Sequence, residues 1–261
     1  MKYIHHYLKR LNIDLPLVAN YKFLSKFHHA HFYSIPFENI EMKKNTFKLL
    51  SYQNIANRII FNKRGGICFD FSILIKSFFE HIGYSYSVRL ARLLTPLITP
   101  TTHLLFIVTI DETKWIFDIG YGAKGPRSPL MLIDGYVHEH SFLSSKVNWH
   151  SEFGWIVSIK ENSQHDAIWE NIYAFHDIEA LEPDISMAHF YTINSSESLL
   201  NTNIVASLPK ENGRISIRNN VFTEVRGYLS SSFQIANKRE LSDLLLENFG
   251  IEIPFQQIRE E

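Results

Sequence analysis

"RGGICFDFSILIKSFFEHIG", Arg64 to Gly83, sets an arginine and two glycines before the only cysteine of a 261-residue chain, and an apolar run after it. That run is apolar on most sides, which predicts a buried helix, and Gly83 is a natural stop for it. Cys68 then stands at or near the helix N-terminus, where the positive end of the helix dipole favours a thiolate. The two glycines permit backbone conformations that a side chain would forbid. Two readings are open here: a small buried residue, as a lone cysteine often is, or a nucleophile.

Upstream of this segment the chain reads as helices. "YIHHYLKRLNI" steps through Tyr3 or Ile4, Tyr7 or Leu8 and Leu11, and "LVANYKFLSKFHHAHF" repeats the pattern with Leu17, Tyr21, Leu24 and Phe27. "YQNIANRIIF" is a shorter candidate with Ser51 as its cap. Pro36 in "SIPFENIE" holds the chain extended or in a turn. From residue 84 the texture changes to short β-branched and aromatic runs: "YSYSVRLARLL", "HLLFIVTI", "KWIFDIG", "GWIVSIK" and "AIWENIYAF". Such a succession predicts a barrel or a strongly curved sheet. A short helix over "LEPDISMAHFYTIN" precedes three strands, "NIVASLP", "GRISIRN" and "VFTEVRG", and "NKRELSDLLLENFG" closes the chain as an amphipathic helix. The expected organisation is a helical bundle over 1–83 carrying the cysteine, a β region over 84–195, and a smaller mixed unit over 196–261.

Composition narrows the function classes. Lysine plus arginine (26) nearly balance aspartate plus glutamate (27), so nothing points to nucleic acid or an anionic membrane. The 13 histidines are scattered without metal-ligand spacing; His5-His6 and His28-His29-His31 come nearest to clusters, and no metal is expected. A lone cysteine excludes an internal disulfide and fits a reducing compartment. The first residues lack a signal-peptide core, and no run approaches the roughly 18 apolar residues of a membrane span, so a cytoplasmic protein is expected.

A thiol nucleophile needs a base, and the base an orienting group. Thirty-five residues after Cys68, "TPTTHLLFIVTI" puts His103 at the start of an apolar strand, and 15 residues further on "KWIFDIGYG" carries Asp118 inside an otherwise apolar run. An aspartate there is costly to bury unless it is hydrogen-bonded. If "DETK" closes the hairpin with a two-residue loop at Asp111-Glu112, Asp118 falls opposite Leu105, on the face of His103 and one diagonal step from it. A three-residue loop would reverse the face.

In this order, "IPFENI" (35–40), "RGGICFD" (64–70), "TTHLLFIV" (101–108) and "WIFDIGYG" (115–122) resemble the motifs of the arylamine N-acetyltransferases. The resemblance implies an α+β fold: an N-terminal helical bundle, a central β-barrel and a C-terminal α/β lid around a cysteine-protease-like Cys-His-Asp site. It implies two-step acetyl transfer. Cys68, a thiolate paired with imidazolium His103 and supported by Asp118, takes the acetyl group from acetyl-CoA and passes it to an arylamine, arylhydrazine or N-hydroxyarylamine. Arg64 and Glu38 match a buried ion pair of the family, Phe37 an aromatic lining the acceptor pocket, and Thr102, Tyr121 and Gly122 positions close to the coenzyme. The expected partners are the CoA thioester and the small-molecule acceptor, with no metal, nucleic acid or membrane, and the oligomeric state stays open.

The chain departs from the family after the cysteine. Glu or Gln is usual two residues on, and Asn four residues on; here they are Asp70 and Ser72. Asp70 would oppose thiolate formation if it faced the site. Two other readings follow: a cysteine hydrolase or transglutaminase-like amidase using the same triad, and a catalytically weak homologue that only binds ligand.

Overall fold

The computed structural model describes residues 2–14, 17–42, 51–162 and 166–258. Helices α1 (Lys2–Arg10), α2 (Tyr21–Ser34), α3 (Tyr52–Ala56, continued as a π-turn through Asn57–Phe61) and α4 (Cys68–Ile82) make up the helical part, and strand β1 (Phe37–Glu38) follows α2. Asn20 caps α2 by accepting the Phe23 N–H. Leu17 therefore lies outside the helix expected to include it, and packs against the core from the preceding loop. Ser51 caps α3 as expected, and Gly83 ends α4 in the left-handed conformation with φ 89°.

Eight strands follow before the next helix: β2 (Ser85–Leu93), β3 (Thr101–Ile110), β4 (Thr113–Phe117), β5 (Leu130–Met131), β6 (Val137–His138), β7 (Leu143–His150), β8 (Gly154–Glu161) and β9 (Glu170–Phe175). They form one antiparallel sheet in the order β5-β4-β3-β2-β9-β8-β7-β6. The sheet curls until β5 lies against β7, a nearly closed, barrel-like arrangement. Helices α5 (Glu182–Asn194) and α6 (Leu199–Thr202) lead into β10 (Val205–Lys210), β11 (Gly213–Arg218), β12 (Val221–Arg226) and β13 (Leu229–Gln234), and then α7 (Lys238–Phe249). The strands β5, β6, β7 and β13 and the helix α6 were not expected from the sequence, and "AIWENIYAF" is extended only from Glu170. β1 pairs antiparallel with β10, Phe37 opposite Ser207, so the second sheet runs β1-β10-β11-β12-β13.

Strand β3 explains its own unbroken apolar run. Leu104, Phe106 and Val108 pack on the helical core, while Leu105 and Ile107 point to the barrel interior, so both faces are buried. On the helical side the rings of Phe27 and Phe78 stack at 3.9 Å, with Phe117 parallel to Phe27 at 5.8 Å. The side chain of Phe79 is fully buried in the same cluster. Truncating such a ring to alanine typically costs about 3–5 kcal/mol. The helix that begins at Cys68 is thus fixed by its far half. A third core lies between the second sheet and α7, with Leu208, Ile215, Ile217, Leu241 and Leu245.

Candidate active site

The β3–β4 hairpin closes with the two-residue loop. Ile110 pairs with Thr113 and Phe106 with Phe117, while Asp111 and Glu112 both adopt positive φ, 47° and 63°. Continuing that register places Asp118 opposite Leu105, next to His103 on the barrel-interior face. The imidazole Nε2–H of His103 donates to Asp118 Oδ2 at 2.8 Å, and both side chains are buried. Asp118 Oδ1 accepts the Gly120 N–H at 2.8 Å. The Tyr173 hydroxyl lies beside the same carboxylate, short of full hydrogen-bond geometry but near enough to favour its charge. The Tyr173 ring tilts against His103 at 5.1 Å.

Cys68 is the first residue of α4 and comes beside the same imidazole from the helical side, near enough to act on its charge. With Nε2 committed to Asp118, Nδ1 is the nitrogen left for the sulfur. Gly120 makes this approach possible: a Cβ there would lie 2.6 Å from Cys68 Cβ and 2.9 Å from its Cα. The structure therefore brings Cys68, His103 and Asp118 together. Burial opposes a charged His103, yet the Asp118 charge and hydrogen bond, with the Cys68 contact, push its pKa up to about 10. For Asp118, burial is outweighed by His103, the Gly120 N–H and Tyr173, which hold it below the usual carboxylate range.

Asp70 does not face the thiol as a bare charge. Its Oδ2 accepts the Ile67 N–H at 2.9 Å and pairs with Arg58 at 2.6 Å. Ile67 has no side-chain acceptor, so this is half of a capping box, with the carboxylate three residues into the helix satisfying the N–H of the capping residue. Ser72 spends its hydroxyl on the Phe69 carbonyl, donating at 2.7 Å. The two glycines before the cysteine serve close approach rather than unusual dihedrals, since neither has positive φ. A Cβ on Gly65 would meet the Pro36 carbonyl oxygen at 1.9 Å, and one on Gly66 the Asp70 side chain at 2.8 Å. Arg64 and Glu38 form a buried pair at 2.8 Å; Glu38 also accepts the Gly65 and Ile40 N–H groups, and Arg64 reaches Glu41.

A cavity of about 370 Å³ opens onto Cys68 and His103. Its walls come from all parts of the fold: Phe37, the Thr95-Pro96 loop, Thr102 of β3, Tyr121, Tyr191 of α5, and Ser207 and Arg214 of the second sheet. Thr102, Tyr121 and Phe37 thus line it. Gly122 is not on its wall. It turns with φ 91° against Ser207 and Phe37, and the next residue, Ala123, donates its N–H to Ser207 Oγ at 3.1 Å. Burial, with Glu170 and Asp118 nearby, keeps the Tyr121 hydroxyl protonated.

Tyr173, Gly120 and the second-sheet residues are the parts of the site that sequence reasoning missed. Tyr173 is one aromatic in an ordinary strand pattern, and Ser207 reaches the site only through a long-range strand pairing. The only available signal was for Gly120, a glycine two residues after the aspartate. The histidines of 28–31 do not cluster: His28 and His31 are buried with separate partners, while His29 pairs with Glu211 at the surface. Among the described residues no group of three or more His, Cys, Asp or Glu is placed to hold a metal ion, and no helix is long and apolar enough to cross a membrane.

Compared with known proteins, the chain matches a family model described as N-acetyltransferase over residues 21–258. It is 24% identical over 259 residues to an arylamine N-acetyltransferase of Escherichia coli (strain K12), covering 95% of this chain and 88% of that one. Among solved structures it is similar to the arylamine N-acetyltransferase of Salmonella typhimurium, with TM-score 0.87 and 21% identity over 98% of this chain and 96% of that one. It is also similar to the Mycobacterium marinum arylamine N-acetyltransferase in complex with CoA, with TM-score 0.86 and 19% identity over 97% and 96%. At these identities the structural likeness shows the fold.

Proposed function

Because the chain belongs to the arylamine N-acetyltransferase family, we propose that it moves an acetyl group from acetyl-CoA to an arylamine, arylhydrazine or N-hydroxyarylamine through an acetyl-Cys68 intermediate. The observation that carries this reading is the buried line from Asp118 through His103 to Cys68, ending at the cavity. An imidazolium held up to about 10 is a stable counter-charge for a thiolate over the neutral range.

In the first step the Cys68 sulfur attacks the thioester carbonyl carbon and the bond from that carbon to the CoA sulfur breaks. The departing CoA sulfur takes the proton of His103 and leaves as the thiol. In the second step the acceptor nitrogen, or the oxygen of an N-hydroxyarylamine, attacks the acetyl-cysteine. The now neutral His103 takes its proton, and the carbon–sulfur bond breaks to restore thiolate and imidazolium. Asp118 keeps the imidazole oriented and compensates its charge through both steps. Thr102 and Tyr121 are assigned to the donor and Phe37 to the acceptor; Gly122 shapes the turn beside them. CoA in the Mycobacterium marinum relative supports a CoA thioester as donor.

The test is intact-mass analysis after mixing with acetyl-CoA alone. One acetyl group on the chain, absent in Cys68→Ala and removed by an arylamine, is expected. An unmodified chain, or acetate release without acceptor at the same rate as with it, overturns the reading.

A further inference from the structure

The Asp118 carboxylate is fixed at both oxygens, but a carboxylate is aimed only as well as its own backbone is held. That backbone is gripped from the helical part: His28 of α2 places Nε2 2.9 Å from the Asp118 main-chain carbonyl, 90 residues away in sequence. The acceptor is a carbonyl oxygen, so Nε2 carries the hydrogen and the imidazole is the donor. The ring cannot rotate freely. It stacks on Phe32 at 5.4 Å and meets Phe117, the residue before Asp118, edge-on at 5.3 Å. His28 is fully buried.

We propose that His28 is a positioning residue of the active site, setting the direction of the Asp118 carboxylate, and through it the His103 ring, by donating to the Asp118 backbone carbonyl. The idea rests on the proposed roles of Cys68, His103 and Asp118. Burial holds His28 down to about 4, against the opposing pull of the Asp118 carbonyl and charge, so it stays neutral where the enzyme works. The titratable groups acting on it are Asp118, which favours its charge, and His29 and His138, which oppose it. A donor that stays neutral orients the aspartate without competing for its charge. An angular error at Asp118 is carried to the imidazole, and misplacements of about 1 Å near reacting atoms can cost roughly 100-fold in rate.

Three variants test this. His28→Phe keeps a ring but removes the donor, His28→Gln keeps an N–H at similar reach, and His28→Asn keeps an amide too short to reach. Two readouts are taken: acetyl transfer with acetyl-CoA and an arylamine, and iodoacetamide alkylation of Cys68 from about pH 5 to 9, which reports the thiolate–imidazolium pair without substrate. His28→Phe and His28→Asn are expected to lower kcat roughly 10- to 100-fold with KM nearly unchanged, and to shift the alkylation profile towards that of an ordinary thiol; His28→Gln should recover most of both. Wild-type kcat and profile in His28→Phe overturn the proposal, as does a loss that follows the folded fraction alone. Should His28→Phe fail to fold, His28→Gln against His28→Asn makes the same comparison, and equal behaviour of those two overturns it. A wild-type Cys68 that reacts no faster than a free thiol overturns the triad reading itself, not only the role of His28.

Discussion

Asp118 and Asp70 show how the same residue type takes opposite tasks according to its neighbours. Asp118 spends its two oxygens on His103 and a backbone N–H, so its charge is available to the imidazolium. Asp118→Asn keeps the shape but removes that charge, and transfer should fall by about three to four orders of magnitude in kcat, measured by CoA release. Asp70 spends its charge on Ile67 and Arg58, and is therefore a cap rather than an electrostatic opponent of the thiol. Asp70→Ala should cost about 1–2 kcal/mol in urea unfolding, the usual value of a lost cap. Gly120 has no side chain because the thiol-bearing residue occupies that space. Gly120→Ala should abolish most transfer while circular dichroism shows a folded chain, because the added methyl group displaces Cys68 or the turn after Asp118.

The β3–β4 hairpin is the element on which the site depends, and its turn carries avoidable strain. Asp111 and Glu112 are both in the left-handed region, which costs a non-glycine residue roughly 1–2 kcal/mol. Glu112→Gly should therefore raise stability by about 1 kcal/mol in thermal unfolding, without altering kcat. This hairpin was legible in the sequence because a four-residue polar turn sat between two apolar runs; the face shared by His103 and Asp118 depended on the loop length, which the sequence left open and the two-residue turn decides. Helix α4 was legible from its apolar run and its glycine stop. Strand β7 was not, because Ser144 and Ser145 are buried polar residues that break the apolar signature. Strand β13 is exposed along its whole length, so burial left no alternation in it to read. Strand β1 has two residues, and its partner lies far along the chain.

At the scale of the whole molecule, the buried histidines and the His103–Asp118 pair set opposite limits on stability. His28 is held down to about 4 and His31 well below its ordinary value, both by burial, so as pH falls the unfolded chain takes up protons first. Stability should decline below about pH 6.5, and melting temperatures taken across pH would contradict this if the acid limb began only in the carboxylate range. His103 is raised to about 10, so its contribution is complete below about pH 6.5 and is lost as pH rises through 10. The parts are also bound mechanically. Buried Arg127 lies over the rings of Phe32 and Tyr33 from α2 and of Phe142 from the barrel, and donates to the Gly213 carbonyl of the second sheet. A chain cut after Asn194 should lose cooperative unfolding, because β1 then has no strand to pair with. The β1–β10 ladder also has a consequence in time. A ribosome adding about 5–20 residues per second finishes Phe37 and Glu38 roughly 10–30 s before it finishes their partners near Ala206 and Ser207. The cysteine is made early in that interval, so every new molecule carries its proposed nucleophile for many seconds before the second-sheet wall of its cavity exists.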